Sequence, residues 1–156
     1  IDPRRAMTDC SCIGEKVVVI DGIGYWQAMG VADYITLLGA QVNLVTDRLY
    51  VGVDITETCR ENLNRRIARK GGKTYTSCRF KAIRGQDVVL ENVFNGEETV
   101  IEGVDTVVVA QHSQSNSGLY KQLKQAGMPA WCVGDAAAPG MALRIIFEAE
   151  ELGRRL

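Results

Sequence analysis

The feature that most restricts the fold of this chain is a β-α-β pattern whose first loop contains glycines. Residues 16–20 are a short, mostly β-branched run and predict a buried parallel strand. After the turn at 21–24, apolar residues recur at helical spacing until Gly39, and residues 42–45 form the next apolar run. This order of elements is typical of a parallel sheet covered by helices.

A second helix and an antiparallel insertion are predicted in the middle of the chain. Asp54, with Glu57 three residues later, predicts a helix that begins with a capping box. The glycines at 71 and 72 end this helix. Asn95-Gly96 predicts a two-residue hairpin turn. Three short extended runs form the predicted meander: residues 79–83, 87–94 and 97–101.

The last part of the chain returns to alternating strands and helices. The predicted elements are a strand at 104–110, a helix at 118–125, a strand at 131–133 and a final amphipathic helix at 142–152. We therefore expect an α/β fold: a Rossmann-like three-layer domain with an inserted small antiparallel β-meander.

Composition is that of a soluble globular domain. The chain has 156 residues, of which 46% are hydrophobic and 24% charged. A net charge of -1 provides no basic surplus for nucleic acid, and no apolar run is long enough for a membrane. The five cysteines are odd in number and lack the spacing of a disulfide scaffold. We expect a cytoplasmic protein that binds neither nucleic acid nor membrane.

Neither a metal site nor a catalytic residue is predicted. Cys10 and Cys12 are a close pair, but a second pair is missing and the single histidine, His112, lies far along the chain. We interpret both thiols as part of a loop before the first strand. His112 follows a buried strand and leaves two interpretations open, a proton shuttle or a loop histidine with a structural role.

The glycine-bearing turn departs from the dinucleotide-binding fingerprint, which has glycines at three positions. Gly22 and Gly24 match the first two positions, whereas Gln27 stands at the third after two aromatic residues. Asp47, at the end of the second strand, is the acid that would contact a ribose. We treat Gly22, Gly24 and Asp47 as candidate cofactor contacts. The alternative is a turn that is retained only for packing.

Three segments carry a resemblance to a known family: VVVID at 17–21, LGAQVNLV at 38–45 and GDAAAP at 134–139. The chain resembles the C-terminal part of the trimethylamine dehydrogenase-like and 2,4-dienoyl-CoA reductase-like NADH:flavin oxidoreductases. Within them, it resembles the dimethylamine, histamine and N-methylproline demethylase-like branch. Such proteins have a barrel that carries FMN and a 4Fe-4S cluster, followed by two dinucleotide-type domains.

The resemblance implies a division of the chain into two parts. Residues 14–126 would correspond to the pyridine-nucleotide-type domain, and residues 127–156 to the returning strand and helix of the FAD-type domain. Gly134 and Asp135 would then contact FAD or ADP. The alternative is that Asp135 only caps the last helix.

The resemblance also implies a function that depends on a longer parent protein. The chain would be the non-catalytic, C-terminal nucleotide-binding-like domain of a flavin-dependent oxidoreductase. The barrel of the parent would oxidise or demethylate a small N-methyl amine, or reduce an enoyl substrate. The chain lacks an initiator methionine, and we expect it to be an excised piece of that parent.

Cofactors and partners follow from the same resemblance. FMN, a 4Fe-4S cluster and FAD or ADP would belong to the parent, with none held tightly by this chain alone. NAD(H) is not required, because such enzymes pass electrons to an electron-transfer protein. The partners would be that protein and the remainder of the parent chain. The alternative function is a free-standing nucleotide-binding or interaction module without redox activity.

Overall fold

The elements of the chain fall into two compact units, Ile1–Gln111 and His112–Leu156. The structure is a computed structural model and describes all 156 residues. In chain order, the first unit contains α1 (Pro3–Thr8), β1 (Lys16–Asp21), α2 (Trp26–Leu37), β2 (Gln41–Val45), α3 (Glu57–Arg69), β3 (Lys73–Tyr75), β4 (Cys78–Arg84), β5 (Asp87–Asn92), β6 (Glu98–Ile101) and β7 (Thr106–Ala110). The second unit contains α4 (Gly118–Gln125) and α5 (Ala142–Gly153).

A four-stranded parallel sheet of order β3-β2-β1-β7 forms the centre of the first unit. β1 lies between two partners, with Val18 opposite Asn43 of β2 and Val107 of β7. Its side chains are buried on both faces, which accounts for the continuous β-branched run. At the outer edge of β7, Val109 N donates to Ile1 O at 2.9 Å, whereas the opposite edge is the three-residue β3.

The two faces of this sheet are covered differently. On one face, Val17 and Val19 of β1 pack with apolar residues of α2 and α3. On the other face, Val18 and Ile20 pack with Leu90 and its neighbours in the antiparallel sheet β4-β5-β6. The layers are therefore helices, parallel sheet and antiparallel sheet, which confirms the predicted α/β class with an inserted meander.

The predicted start of the second helix is wrong. α3 begins at Glu57, its N-cap is Thr56, and no side chain caps it. Asp54 instead uses its backbone N–H to donate to Gly24 O at 2.8 Å. The segment before α3 is thus held by the turn after β1, and this long-range contact replaces the local capping box.

Two further differences from the sequence prediction concern β3, at the edge of the parallel sheet, and the turn of the meander. β3 was not predicted, because a strand of three residues carries almost no periodic signal. The turn between β5 and β6 is longer than two residues, since Asn92 N donates to Glu97 O at 2.9 Å around residues 93–96. The Asn92 side chain also accepts from Phe94 N at 2.9 Å, so an Asx turn organises this loop.

The second unit contains helices and loops but no strand. α4 spans the predicted residues 118–125, and α5 extends over Ala142–Gly153. The predicted strand at 131–133 is wrong, because an extended segment becomes a strand only when its backbone pairs with another strand. The predicted domain boundary between 126 and 127 stays a prediction.

None of the helices combines the length and the apolar character needed to span a membrane.

Candidate functional site

The candidate site lies at the carboxyl end of β1, where the chain turns into α2. β1 has β2 on one side and β7 on the other, so the connections of the sheet diverge here. Open parallel sheets bind ligands at such a point, beyond the carboxyl ends of their strands. The predicted residues Gly22 and Gly24 lie in this turn, and Asp47 follows the end of β2.

Asp21, the last residue of β1, organises the turn from inside. Its side chain is buried, with Oδ1 accepting from Gly24 N at 2.6 Å and Oδ2 accepting from Gly52 N at 2.9 Å. Its backbone oxygen accepts from Thr46 Oγ1 at 3.0 Å. Backbone N–H donors of this kind compensate for the burial of a carboxylate. Asp21 was not among the predicted site residues, although an acid at the end of an apolar strand was a visible signal.

Gly24 is needed for contacts within the chain itself. Its φ is +77°, and a Cβ atom added there would lie 2.5 Å from Arg48 Nη1 and 2.6 Å from Val53 Cγ1. At Gly22 a Cβ atom would lie 3.3 Å from Gln111 Cγ, and Gly22 N donates to Ala110 O at 2.9 Å. Side chains of this protein therefore lie against both glycines.

Residues 47–56, which we name the covering segment, bring those side chains to the turn. Val51 and Ile55 of this segment are buried in the core on the helix side of the sheet. Gly52 has φ +62°, and a Cβ atom there would lie 2.9 Å from Met29 Cγ in α2. Arg48 Nη1 lies 3.5 Å from Asp54 Oδ2 above the turn.

The space beside Gly24 is filled by side chains of the chain itself. In the fingerprint, the second glycine lets the backbone approach the pyrophosphate closely. Here the Arg48 and Val53 side chains occupy that space, and Gly24 N already donates to Asp21. Asp47 is exposed and accessible to a ribose. The assignment of Gly22, Gly24 and Asp47 as cofactor contacts stays a prediction.

The Gly134-Asp135 motif begins a short 3-10 turn in the second unit. Gly134 is buried at φ +65°, and a Cβ atom there would lie 3.0 Å from Ile145 Cγ2. Asp135 is exposed, and its Oδ1 accepts from Gly140 N at 3.2 Å. The N-cap of α5 is Met141, so the interpretation of Asp135 as the cap of the last helix is wrong. An exposed carboxylate before a helix fits a hydroxyl of FAD or ADP, and this role stays a prediction.

The cysteines and the histidine do not form a common site. No three His, Cys, Asp or Glu side chains are arranged to hold a metal ion. All five cysteines are free thiols, and burial raises the pKa of Cys78, which keeps that thiol protonated at neutral pH. Cys12 Sγ donates to Asp9 O at 2.8 Å, and His112 is exposed in a loop.

Comparison with known proteins gives matches among solved structures. No family model and no curated protein match the chain. Histamine dehydrogenase from Rhizobium sp. 4-9 matches with a TM-score of 0.83 and 25% identity, over 99% of this chain and 26% of that one. 6-Hydroxypseudooxynicotine amine oxidase from Pseudomonas geniculata N1 matches with a TM-score of 0.84 and 21% identity, over 98% of this chain and 24% of that one.

A third solved structure extends this group. 2-Naphthoyl-CoA reductase in complex with 2-naphthoyl-CoA matches with a TM-score of 0.79 and 21% identity, over 100% of this chain and 23% of that one. The chain therefore spans about a quarter of the length of the solved proteins that it matches. All three are oxidoreductases, and they confirm that this chain resembles the trimethylamine dehydrogenase-like family.

Proposed function

We propose that this chain is a nucleotide-binding-like domain of a larger flavin-dependent oxidoreductase and carries none of its catalytic residues. The observation that supports this most directly is the extent of the structural similarity. The similarity covers 98% to 100% of this chain but only 23% to 26% of each oxidoreductase. A domain that occupies about a quarter of three oxidoreductases is best explained as a part of such an enzyme.

The proposed substrate of the parent enzyme is a small N-methyl amine, which is oxidised or demethylated, or an enoyl compound, which is reduced. Two of the solved relatives are named for amine oxidation and one for reduction of an aromatic acyl-CoA. FMN and a 4Fe-4S cluster would lie in a barrel outside this chain, as the family resemblance implies. When bound there, FMN would accept the electrons of the amine or supply electrons to the enoyl compound.

This chain would contribute a nucleotide contact and a scaffold. The exposed Asp135 carboxylate would accept a hydrogen bond from a ribose or ribityl hydroxyl of ADP or FAD, beside the tightly packed Gly134. The blocked space at Gly24 supports a scaffold role for the first unit. We further propose a cytoplasmic enzyme that transfers its electrons to a separate electron-transfer protein.

The test is to isolate the full-length protein that contains this chain. Its mass, visible absorption and iron content would be measured, followed by turnover of methylated amines and enoyl-CoA esters with an artificial electron acceptor or donor. We expect a protein several times longer than this chain that carries flavin and oxidises amines. A colourless protein with no further domain would support a free-standing nucleotide-binding or interaction module instead.

A further inference from the structure

We infer that the covering segment, residues 47–56, permanently closes the dinucleotide site of the first unit and is tied to its turn by the Asp21 carboxylate. This inference refines the proposed function, on which it rests, because it states why the first unit supports the enzyme without binding NAD(H). It is carried by the donors of the turn, by the space beside Gly24 and by the attachment of the segment.

Two backbone donors of the turn are already used, Gly22 N by Ala110 O and Gly24 N by Asp21. A phosphate cradle works because backbone N–H groups of a glycine-rich turn point at an anion. In this turn Gly24 N donates to Asp21 Oδ1 at 2.6 Å, and Gly52 N of the covering segment donates to Asp21 Oδ2 at 2.9 Å. The Asp21 carboxylate thus accepts one hydrogen bond from the turn and one from the covering segment and ties the two together.

The space beside the turn is also filled. A Cβ atom on Gly24 would lie 2.5 Å from Arg48 Nη1 and 2.6 Å from Val53 Cγ1, so there is no room for even one methyl group. A pyrophosphate is far larger than a methyl group. A dinucleotide would have to displace both side chains before it approached the backbone of Gly24.

The attachment of the covering segment distinguishes a fixed closure from a mobile lid. The buried Val51 and Ile55 anchor it in the core, and Asp54 N donates to Gly24 O at 2.8 Å. Toward α3, Arg60 lies over the Tyr50 ring at 4.4 Å and its Nη1 donates to Ile55 O at 3.2 Å. Opening the segment would expose buried apolar side chains and leave buried hydrogen-bond donors and acceptors without partners.

The experiment uses hydrogen–deuterium exchange of the full-length protein, titrated with NADH and separately with ADP-ribose. Peptides that contain residues 21–24 and 47–56 report on this site alone, whatever binds elsewhere in the protein. The variant Arg48→Ala/Val53→Ala removes both obstructing side chains. Arg65→Ala is the matched control, because Arg65 is an exposed arginine that pairs with Glu61 at 2.5 Å on α3.

We expect no ligand-dependent protection of these peptides in the wild type or in Arg65→Ala. In Arg48→Ala/Val53→Ala, we expect ligand-dependent protection at residues 21–24. The ligand concentration that gives half of the maximal protection should be at least about tenfold lower than the highest ligand concentration that leaves the wild type unchanged. If the double variant does not fold, Arg48→Ala alone is measured, with a smaller gain expected. Its side chain is partly exposed, so the substitution leaves the core intact.

Two results would overturn the inference. Saturable protection in the wild type would show that the covering segment opens for the nucleotide. A folded double variant without any protection would show that Arg48 and Val53 do not close the site. The obstruction would then lie in Tyr25, Trp26 and Gln27 at the start of α2. A full-length protein without flavin would refute the proposed function, but it would not change either of these two exchange results.

Discussion

Asp21 shows how one residue can hold together a turn that local sequence motifs assign to a ligand. We expect Asp21→Asn to reduce stability, because the amide NH₂ would face one of the two buried donors, Gly24 N or Gly52 N. A buried donor left unpaired costs about 1–3 kcal/mol. Urea unfolding measures the loss, and Asp47→Asn, at an exposed site, is the control with an expected change below about 0.5 kcal/mol. Equal stability of the two variants would show that the Asp21 bonds contribute little.

Asp135→Asn separates a structural from a ligand-binding role for this residue. The amide oxygen of Asn can still accept from Gly140 N, so the melting temperature of the nucleotide-free, full-length protein should be unchanged. A ribose or ribityl hydroxyl would lose a charge-assisted hydrogen bond of about 1.5–3 kcal/mol, and the amount of copurified ADP or FAD should fall. Nucleotide content, measured after denaturation, decides the question. Full occupancy in the variant would leave Asp135 with the Gly140 contact alone.

Individual residues of the site were only partly predictable from the sequence. Gly24 was identified through a ligand-binding motif, but its packing partners, Arg48 and Val53, lie in another segment. The bond between Gly52 N and Asp21 joins positions 31 residues apart, and no periodic pattern records such a contact. Sequence motifs therefore located the turn but not what fills it.

At the scale of single elements, replacing one glycine of α2 should increase the stability of the protein. Gly30 lies in the middle of this helix, and a Cβ atom there would have no neighbour within 4 Å. Gly30→Ala should stabilise the protein by about 1 kcal/mol, because alanine restricts the unfolded chain and favours the helix. Gly24→Ala is the contrasting variant and should destabilise it, given φ +77°. Chemical denaturation compares the two. A less stable Gly30→Ala protein would contradict the helix geometry.

A ladder of ion pairs crosses the antiparallel sheet and should make its stability depend on pH. Lys81 Nζ lies 2.8 Å from Glu91 Oε1 and 2.9 Å from Glu98 Oε1, and these bonds lower the pKa of both carboxyl groups. A lowered pKa contributes stability above the ordinary glutamate pKa of about 4.3, and this is lost as the pH falls through the lower, folded-state value. The same bonds raise the pKa of Lys81, whose contribution is lost only at strongly alkaline pH.

Lys81→Gln tests this ladder. The variant should unfold at a lower urea concentration than the wild type near neutral pH, and the difference should disappear once both glutamates are protonated in acid. Lys121→Gln, at an exposed position of α4, serves as the control for the loss of one positive charge. A difference that persists in acid would assign the effect to packing of the lysine stem instead.

Elements with their own periodic signal were predicted well, whereas those defined by a partner were not. α4 was predicted at its observed bounds, and the predicted first strand, residues 16–20, is one residue shorter than the observed β1. β3 was missed and a strand at 131–133 was predicted in error. The reason is physical, since the hydrogen bonds of a strand belong to a pair of segments and are absent from either sequence alone.

For the molecule as a whole, we expect the isolated 156-residue chain to be colourless after purification. The proposed function places the FMN barrel and the loop that holds the ADP part of FAD in the rest of the parent protein. A visible absorption spectrum is sufficient to check this, with the full-length protein, purified in the same way and expected to be yellow, as the control. A flavin band in the isolated chain would mean that the two units bind the cofactor by themselves.

The layered arrangement was the part of the whole molecule that the sequence predicted best. Alternating strands and helices specified a parallel sheet, and the three extended runs specified the meander. Successive side chains of a strand point to opposite faces of its sheet. Val17 and Val19 therefore face the helices, while Val18 and Ile20 face the meander. Motifs alone did not indicate that the chain would fill its own glycine-rich turn.

The two edges of the parallel sheet bear on how the protein behaves at high concentration. One edge is the three-residue β3, which begins with Lys73, and the other is partly paired with Ile1. Long, unpaired edges are templates for aggregation, and short or charged edges discourage it. A protein with these two edges offers few backbone groups to a second molecule. The backbone edges of the parallel sheet should therefore contribute little to self-association at the high concentrations that exchange and calorimetry require.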